Sequence, residues 1–309
     1  MSILVVGSVA FDTVETPFGR AERVLGGSAS FFSVAASFFA PVNLVAVVGS
    51  DFSEKELSVF RGRPIDLEGV ERMPGKTFHW QGKYSYDLNA RETICTDLNV
   101  FEFFKPRIPP AYRTSEHVFL GNIDPVLQRE VLEQVEKPRV VACDTMNFWI
   151  SGKRDELVET LKLVDILLIN DAELRELSGE WNVVKGARAV RAMGPRTLVI
   201  KKGEHGVLMF SDQGSFAAPA YPLEAVFDPT GAGDTFAGGF VGYLASSTVE
   251  GGPAGGTGEE SLRRAVIMGS TLASFCVEAF SLDRLLTLTR PEINERFRLF
   301  KRLTHFEEL

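Results

Sequence analysis

Short apolar runs recur along the chain at residues 3–6, 44–48, 140–143, 166–169 and 198–200. Each is too brief to cross a bilayer and suits a strand buried on both faces of a parallel sheet. Between these runs the apolar positions shift to helical spacing. The pattern predicts strand 3–9, helix 29–39, strand 43–48 and helix 54–60, then strand His117–Leu120 and helix 125–135. Strand 139–143, helix 154–163 and strand 166–169 follow, with helices 172–178 and 184–193 leading into strand Thr197–Lys201. Such alternation predicts a doubly wound, mostly parallel α/β sheet flanked by helices. An amphipathic helix is expected over 291–303, with Ile293, Phe297, Phe300 and Leu303 on one side.

The rhythm breaks between about residues 75 and 106, where Phe78, Trp80, Gly82, Tyr84 and Tyr86 alternate with other residues. Period-two patterning without intervening helices predicts strands. Residues 12–25 also lack helical spacing, so the two stretches together predict a small β lid on a single domain spanning 1–309. Residues 246–260, rich in Gly, Ser and Thr, read as a connector between two helices. Their paired glycines Gly251-Gly252 and Gly255-Gly256 follow no strand and so make a poor phosphate site.

A net charge of −8 argues against a nucleic-acid backbone as partner. An anionic nucleotide would instead rely on local N–H groups, lysines and Mg²⁺. The three cysteines, Cys95, Cys143 and Cys276, have no metal-ligand spacing and read as reduced thiols. Ser2-Ile3-Leu4-Val5-Val6-Gly7 runs into a strand without a basic leader, so a cytoplasmic protein is expected.

The densest chemistry lies in Phe227-Asp228-Pro229-Thr230-Gly231-Ala232-Gly233-Asp234-Thr235-Phe236. Gly231, Ala232 and Gly233 set little side chain between their amides and a ligand. Free N–H groups at a helix start attract an anion. An acid at Asp234 then fits a group that takes a proton from a hydroxyl while the loop holds developing negative charge. Further candidates sit at strand ends, where open α/β sheets bind ligands. They include Asp12, the Gly26-Gly27-Ser28 turn, and Asp144-Thr145-Met146-Asn147, of which Asn147 is either a ligand contact or a polar turn residue. Asn170 and Glu173 have the spacing of a helix capping box. Lys201-Lys202-Gly203-Glu204-His205-Gly206 offers a turn with a phosphate-neutralising lysine, Lys201, and a solvent-facing His205.

The ten-residue string resembles the C-terminal signature of the ribokinase-like (PfkB) carbohydrate kinase family. The Gly-Gly turn, the lid, Asn170-x-x-Glu173 and Gly203-x-x-Gly206 match that family in order along nearly the whole chain. The resemblance implies Asp234 as catalytic base and the amides of Ala232, Gly233 and Asp234 as an anion hole. It implies Asp12, Gly26, Gly27 and Ser28 at the sugar. It also implies Asn170 and Glu173 organising Mg²⁺ through water, with Lys201, Gly203, Gly206 and Thr230 near ATP. Asp228 would cap the loop or coordinate a monovalent cation such as K⁺. Residues 273–281 fall where the family's adenine pocket and cation loop lie. The chain departs from the family at Phe31, where asparagine is common.

The expected activity is therefore ATP-dependent phosphorylation of a primary hydroxyl on a sugar or sugar derivative. A nucleoside kinase of the adenosine or cytidine type is the alternative, with Phe78, Trp80, Tyr84 and Tyr86 stacking on a base. The same aromatic face could instead make a homodimer through the lid. A non-catalytic sugar or nucleotide sensor is a third reading, opposed by the intact Asp234. No membrane partner is expected.

Overall fold

The computed structural model describes residues 2–247 and 258–305. The chain opens with β1 (Ile3–Val6), the hairpin β2 (Ala10–Thr16) and β3 (Gly19–Gly26), then α1 (Ser28–Ala36). It continues through β4 (Val42–Gly49), α2 (Glu54–Arg61), β5 (Ile65–Met73), β6 (Phe78–Tyr84) and β7 (Arg91–Asp97). Next come β8 (His117–Leu120), α3 (Pro125–Glu133), β9 (Val140–Asp144), α4 (Asn147–Gly152), α5 (Arg154–Leu161) and β10 (Ile166–Asn170). After α6 (Asp171–Ser178) and α7 (Val183–Arg191) lie β11 (Thr197–Lys201), β12 (Val207–Ser211) and β13 (Gly214–Ala218). Helices α8 (Ala232–Ser247), α9 (Glu259–Cys276), α10 (Asp283–Thr287) and α11 (Arg290–Thr304) complete the fold.

The large sheet has the order β13-β12-β11-β10-β9-β8-β1-β4-β5. It is parallel from β11 to β5 and antiparallel only at the β12–β13 edge. Ile3 and Val5 face one apolar layer, shared with Phe32 of α1, Phe240 of α8 and Leu272 of α9. Leu4 and Val6 face the other, shared with Val131, Leu157, Leu174 and Val190 of α3, α5, α6 and α7. Residues buried on both faces explain why the central strands read as continuous apolar runs. The unpredicted strand β5 lies at the sheet edge with Ile65 as its single buried residue among half-buried and exposed ones, and its charged residues hid it.

Helix α8 is small-residue on two sides for a packing reason. A Cβ built on Gly238 would stand 2.4 Å from the Phe32 carbonyl oxygen, and one on Gly239 would stand 3.1 Å from that of Met268. The helix is thus wedged between α1 and α9, which fixes where its N-terminus emerges.

A second, four-stranded sheet has the order β3-β2-β6-β7 and is assembled from the two stretches expected to form a lid. The glycine pairs of the connector lie outside the described residues. No described helix is long and apolar enough to cross a membrane, and the three cysteines are unpaired.

His117, at the start of β8, is fully buried, and neither ring nitrogen has a hydrogen-bond partner among the described residues. Burial pushes its pKa down to about 4. The unfolded chain then takes up a proton that the folded chain refuses, so stability falls as pH drops from roughly 6.5 towards 4. His117→Leu should flatten this dependence. Melting curves at about pH 7 and pH 5 check it, and equal losses in wild type and variant would contradict it.

Candidate active site

Three neighbouring parallel strands end on polar residues: β9 on Asp144, β10 on Asn170 and β11 on Lys201. The N-terminus of α8 faces this edge. Gly231 takes φ +74°, which only glycine adopts without strain, and a Cβ there would lie 2.5 Å from the Phe31 ring. Phe31 is thus the floor beneath the loop, which accounts for an apolar residue where a polar one was expected. Asp228, almost wholly buried, brackets the loop. Its Oδ1 accepts the Thr230 N–H at 2.8 Å, and its Oδ2 accepts the Ser281 N–H at 3.2 Å.

The amides differ from expectation in one respect. The Ala232 N–H donates to the Pro229 carbonyl at 3.2 Å, and the Thr235 N–H donates to the Gly231 carbonyl at 2.8 Å. Among the described residues, Gly233 and Asp234 are left with N–H groups that have no backbone acceptor. Two of the three expected amides, those of Gly233 and Asp234, are therefore left open at the helix start, because the turn closes on Ala232.

Lys201 lies against this pair. Its Nζ is 3.0 Å from where a Cβ on Gly233 would stand, and 3.7 Å from Asp144 Oδ2. Burial opposes the ammonium charge, but Asp144, Glu173 and Asp234 hold its pKa above the usual value. Burial, followed by repulsion from Asp144, pushes Asp234 up to about 7, with Lys201 and Arg91 acting in opposition. Glu173 is raised to about 7 by burial and Asp144. Asp144 is itself raised by burial, against the attraction of Lys201.

Asp12 approaches from β2. Burial, then repulsion from Asp228 and Asp234, raises it to about 7, while the Gly27 N–H donates to it and pulls the other way. Its carboxylate occupies the space over Gly26, where a Cβ would sit 1.9 Å from Oδ2. Gly26 is thereby required beside Asp12, whereas Gly27 is required by its φ of +89° and by the Ser8 carbonyl, 2.5 Å from where its Cβ would stand. Ser28 behaves differently. Its hydroxyl faces Ser8, with Oγ–Oγ 3.2 Å, and accepts the Ser8 N–H, so it ties the end of β1 to α1.

Asn170 and Glu173 form the expected capping box: Asn170 Oδ1 accepts the Glu173 N–H at 2.8 Å, and Glu173 Oε2 accepts the Asn170 N–H at 2.7 Å. Glu173 keeps its second oxygen for other contacts. No group of three or more His, Cys, Asp or Glu side chains suited to a metal exists among the described residues. A single carboxylate suits Mg²⁺ that is held chiefly by phosphates and water, so the donor set fits a nucleotide-bound cation. Gly203 and Gly206 take φ +56° and +83° around a tight turn. His205 is exposed beside Glu204, and Asn147 donates to Glu176 away from the carboxylates.

Two residues named in the sequence take a different place here from the one expected of them. Asp144, in the quartet where Asn147 was the candidate, is the acid that contacts Lys201. Tyr84 is buried and its hydroxyl accepts from Thr230 Oγ1 at 3.3 Å, joining the small sheet to the loop. Phe78 instead stacks on Phe101 at 5.2 Å, and Tyr86 is 83% exposed against Phe18.

Residues 2–286 match the model of a family described as pfkB family carbohydrate kinase. The chain is 32% identical over 258 residues to a cytidine kinase of Thermococcus kodakarensis, covering 81% of this chain and 91% of that one. It is 26% identical over 242 residues to a 2-dehydro-3-deoxygluconokinase of Thermoproteus tenax, covering 73% and 74%. A nucleoside kinase structure from Methanocaldococcus jannaschii aligns with TM-score 0.74 at 20% identity, over 96% of this chain and 98% of that one. A Giardia lamblia ribokinase structure gives 0.78 at 17% identity, over 97% and 99%.

The raised carboxylates bear on stability. A folded-state pKa near 7 against about 4 unfolded means stability is fullest below pH 4 and is lost as pH climbs through 7. Asp234→Asn removes one such charge. It should melt above wild type at about pH 8, with the gap narrowing towards about pH 5. A variant that melts below wild type at both pH values would contradict the burial of that charge.

Proposed function

This chain belongs to the pfkB family of carbohydrate kinases, and we propose that it transfers the γ-phosphoryl group of ATP to the primary hydroxyl of a nucleoside. The observation that carries the chemistry is Asp234, raised to about 7, standing beside two amides without backbone acceptors and the Lys201 ammonium. A base with that affinity is half-ionised near neutral pH and can accept a hydroxyl proton as attack begins. The nucleoside is favoured over a free sugar by the cytidine kinase likeness. The indole of Trp80, register partner of Asp12, offers a flat surface beside the acceptor.

In the proposed reaction the acceptor oxygen bonds to the γ-phosphorus while the bond to the β,γ-bridging oxygen breaks. The hydroxyl proton passes to Asp234, and ADP leaves with the bridging oxygen. The Gly233 and Asp234 amides and Lys201 meet the charge on the transferring group without reorganising. Asp12 orients the acceptor through its other hydroxyls. Mg²⁺ bound with ATP supplies charge neutralisation to the phosphates, and Glu173, oriented by Asn170, is the residue that would hold it through water. The small sheet covers the acceptor and keeps water from competing with it.

ADP release measured across a panel of nucleosides and sugars tests the acceptor class. Transfer to a nucleoside is expected, and turnover only with free sugars would overturn that choice. Asp234→Asn should lower kcat by ~10³-fold or more with nucleotide binding near normal. Asp12→Ala should chiefly raise the acceptor KM. The pH profile gives an independent check: activity should rise with pH through about 7 as Asp234 ionises. Asp144→Asn removes the repelling charge and frees Lys201, so the acid limb should move to lower pH. An unmoved limb would dissociate Asp234 from the base role.

A further inference from the structure

Strands β2 and β3 form a hairpin whose two halves do not share one register. Near the turn Thr16 faces Gly19, Glu15 faces Arg20 and Val14 faces Ala21. Carried on unchanged, that register would set Arg23 directly opposite Asp12, with Leu25 opposite Ala10. Antiparallel partners lie on the same face of a sheet, so the guanidinium would meet the carboxylate over the cleft. The chain instead pairs Asp12 with Val24, Phe11 with Leu25 and Ala10 with Gly26. A β-bulge between Ala21 and Val24 takes up one extra residue of β3, and every later residue moves along by one. Gly26 rather than Leu25 then lies beside Asp12, whose carboxylate fills the space that a Cβ on Gly26 would need.

The bulge is held from outside the small sheet. Arg23 takes φ +49°, the left-handed region that a residue with a side chain enters only at a cost. Its N–H donates at 3.2 Å to the hydroxyl of Thr13, which the ladder with β3 skips. The same hydroxyl meets His79 Nε2 on β6 at 3.0 Å. The Arg23 guanidinium lies over the Phe11 ring, 4.1 Å from its centroid, on the face opposite to that of Asp12. There it donates to Asp51 Oδ2 at 2.8 Å. Asp51 belongs to the loop after β4 of the large sheet, where the Thr77 N–H and hydroxyl both donate to its Oδ1 at 2.7 Å. Thr77 is buried, and its hydroxyl accepts the Gly49 N–H at 3.0 Å. The anchor is thus built into the end of β4, whereas the arginine it holds is half-exposed. Such a pair adds little stability, so what distinguishes it is the register that it fixes.

Resting on the kinase reading above, in which Asp12 orients the acceptor, we propose that Asp51 is a positioning residue that keeps Asp12 free. It holds Arg23 on the far face of the small sheet and thereby stabilises the bulged register. An arginine opposite Asp12 would take, as a two-pronged donor, the carboxylate oxygens to which the acceptor hydroxyls must donate. The same slip would bring Leu25 into the place of Gly26 and crowd the carboxylate. The end of β4 thus sets, through one ion pair, the hairpin register at the residue that meets the acceptor.

The test compares wild type, Asp51→Asn, Arg23→Gly and the double variant by kinetics with the best acceptor of the nucleoside and sugar panel. Calorimetric titration with ADP and carboxyl-carbon NMR of Asp12 accompany it. In Asp51→Asn the amide oxygen still serves Thr77, but the amide nitrogen faces Arg23 and releases it. The acceptor KM should rise ~10-fold or more, with kcat within about three-fold and ADP affinity within about two-fold of wild type. The Asp12 titration midpoint should fall from about 7 to below about 6 as a cation arrives beside it. Its other charged neighbours, Asp228, Asp234 and Arg91, are the same in all four proteins. Arg23→Gly has no cation to release and takes the left-handed backbone without strain. That variant and the double variant should keep the wild-type acceptor KM and Asp12 midpoint. A raised KM that persists in the double variant, or an Asp12 midpoint unmoved in Asp51→Asn, would overturn the proposal. So would parallel losses of ADP affinity and kcat in Asp51→Asn, which would make Asp51 a prop of the fold. If wild type phosphorylated nothing in the panel, the kinase reading would fail, while the Asp12 midpoints would still decide whether Asp51 holds Arg23 away.

Discussion

Crowding of buried carboxylates around one ammonium is the constraint on which this molecule is organised. Asp144, Glu173 and Asp234 come from separate parts of the chain and meet near Lys201, and Asp12 adjoins them through its repulsion with Asp234. Burial disfavours each negative charge, and each neighbour disfavours it further. A single lysine cannot offset all of them. The result is a set of acids with raised proton affinities, those of Asp12, Glu173 and Asp234 near neutrality, which suits proton transfer and costs stability. The site is ready for cationic or multiply charged ligands that bring their own compensation.

The rest of the fold reads as support for that crowding. Parallel strands buried on both faces bring Asp144, Asn170 and Lys201 to one edge in register. Helix α8, lacking bulk at Gly238 and Gly239, slots between α1 and α9 and delivers Gly233 and Asp234 to the same edge. Phe31 supports the loop from below, and Asp228 clamps it to Ser281 from behind. The small sheet closes the remaining side, bringing Asp12 from β2 and Tyr84 from β6. Its strands come from two distant stretches of chain, so closure couples the N-terminal part of the molecule to the anion loop.

Much of this was legible in the sequence where one physical cause dominated. The central strands announced themselves because both of their faces are apolar. The loop before α8 was legible because small residues, a capping pattern and an acid coincide within ten positions. Strands β5, β12 and β13 were not, since strands at or next to the sheet edges mix exposed and buried positions. Three site details depended on geometry that residue type does not encode. Ala232 closes its turn on Pro229, so its amide is not left open. Ser28 turns to Ser8. Phe31, a puzzle as a ligand contact, makes sense as the floor under a left-handed glycine. The Asp144–Lys201 contact joins two strand ends that lie far apart in the chain.

The account stands most directly on the proton affinity of Asp234. Carboxyl-carbon NMR of the full chain labelled at aspartate, with the Asp234→Asn variant used to identify the signal, measures it without reference to turnover. A titration midpoint near 7 is predicted for Asp234 in the free protein. A midpoint near 4, the value of an exposed aspartate, would show that the charge is not held against burial and would remove the basis of the account.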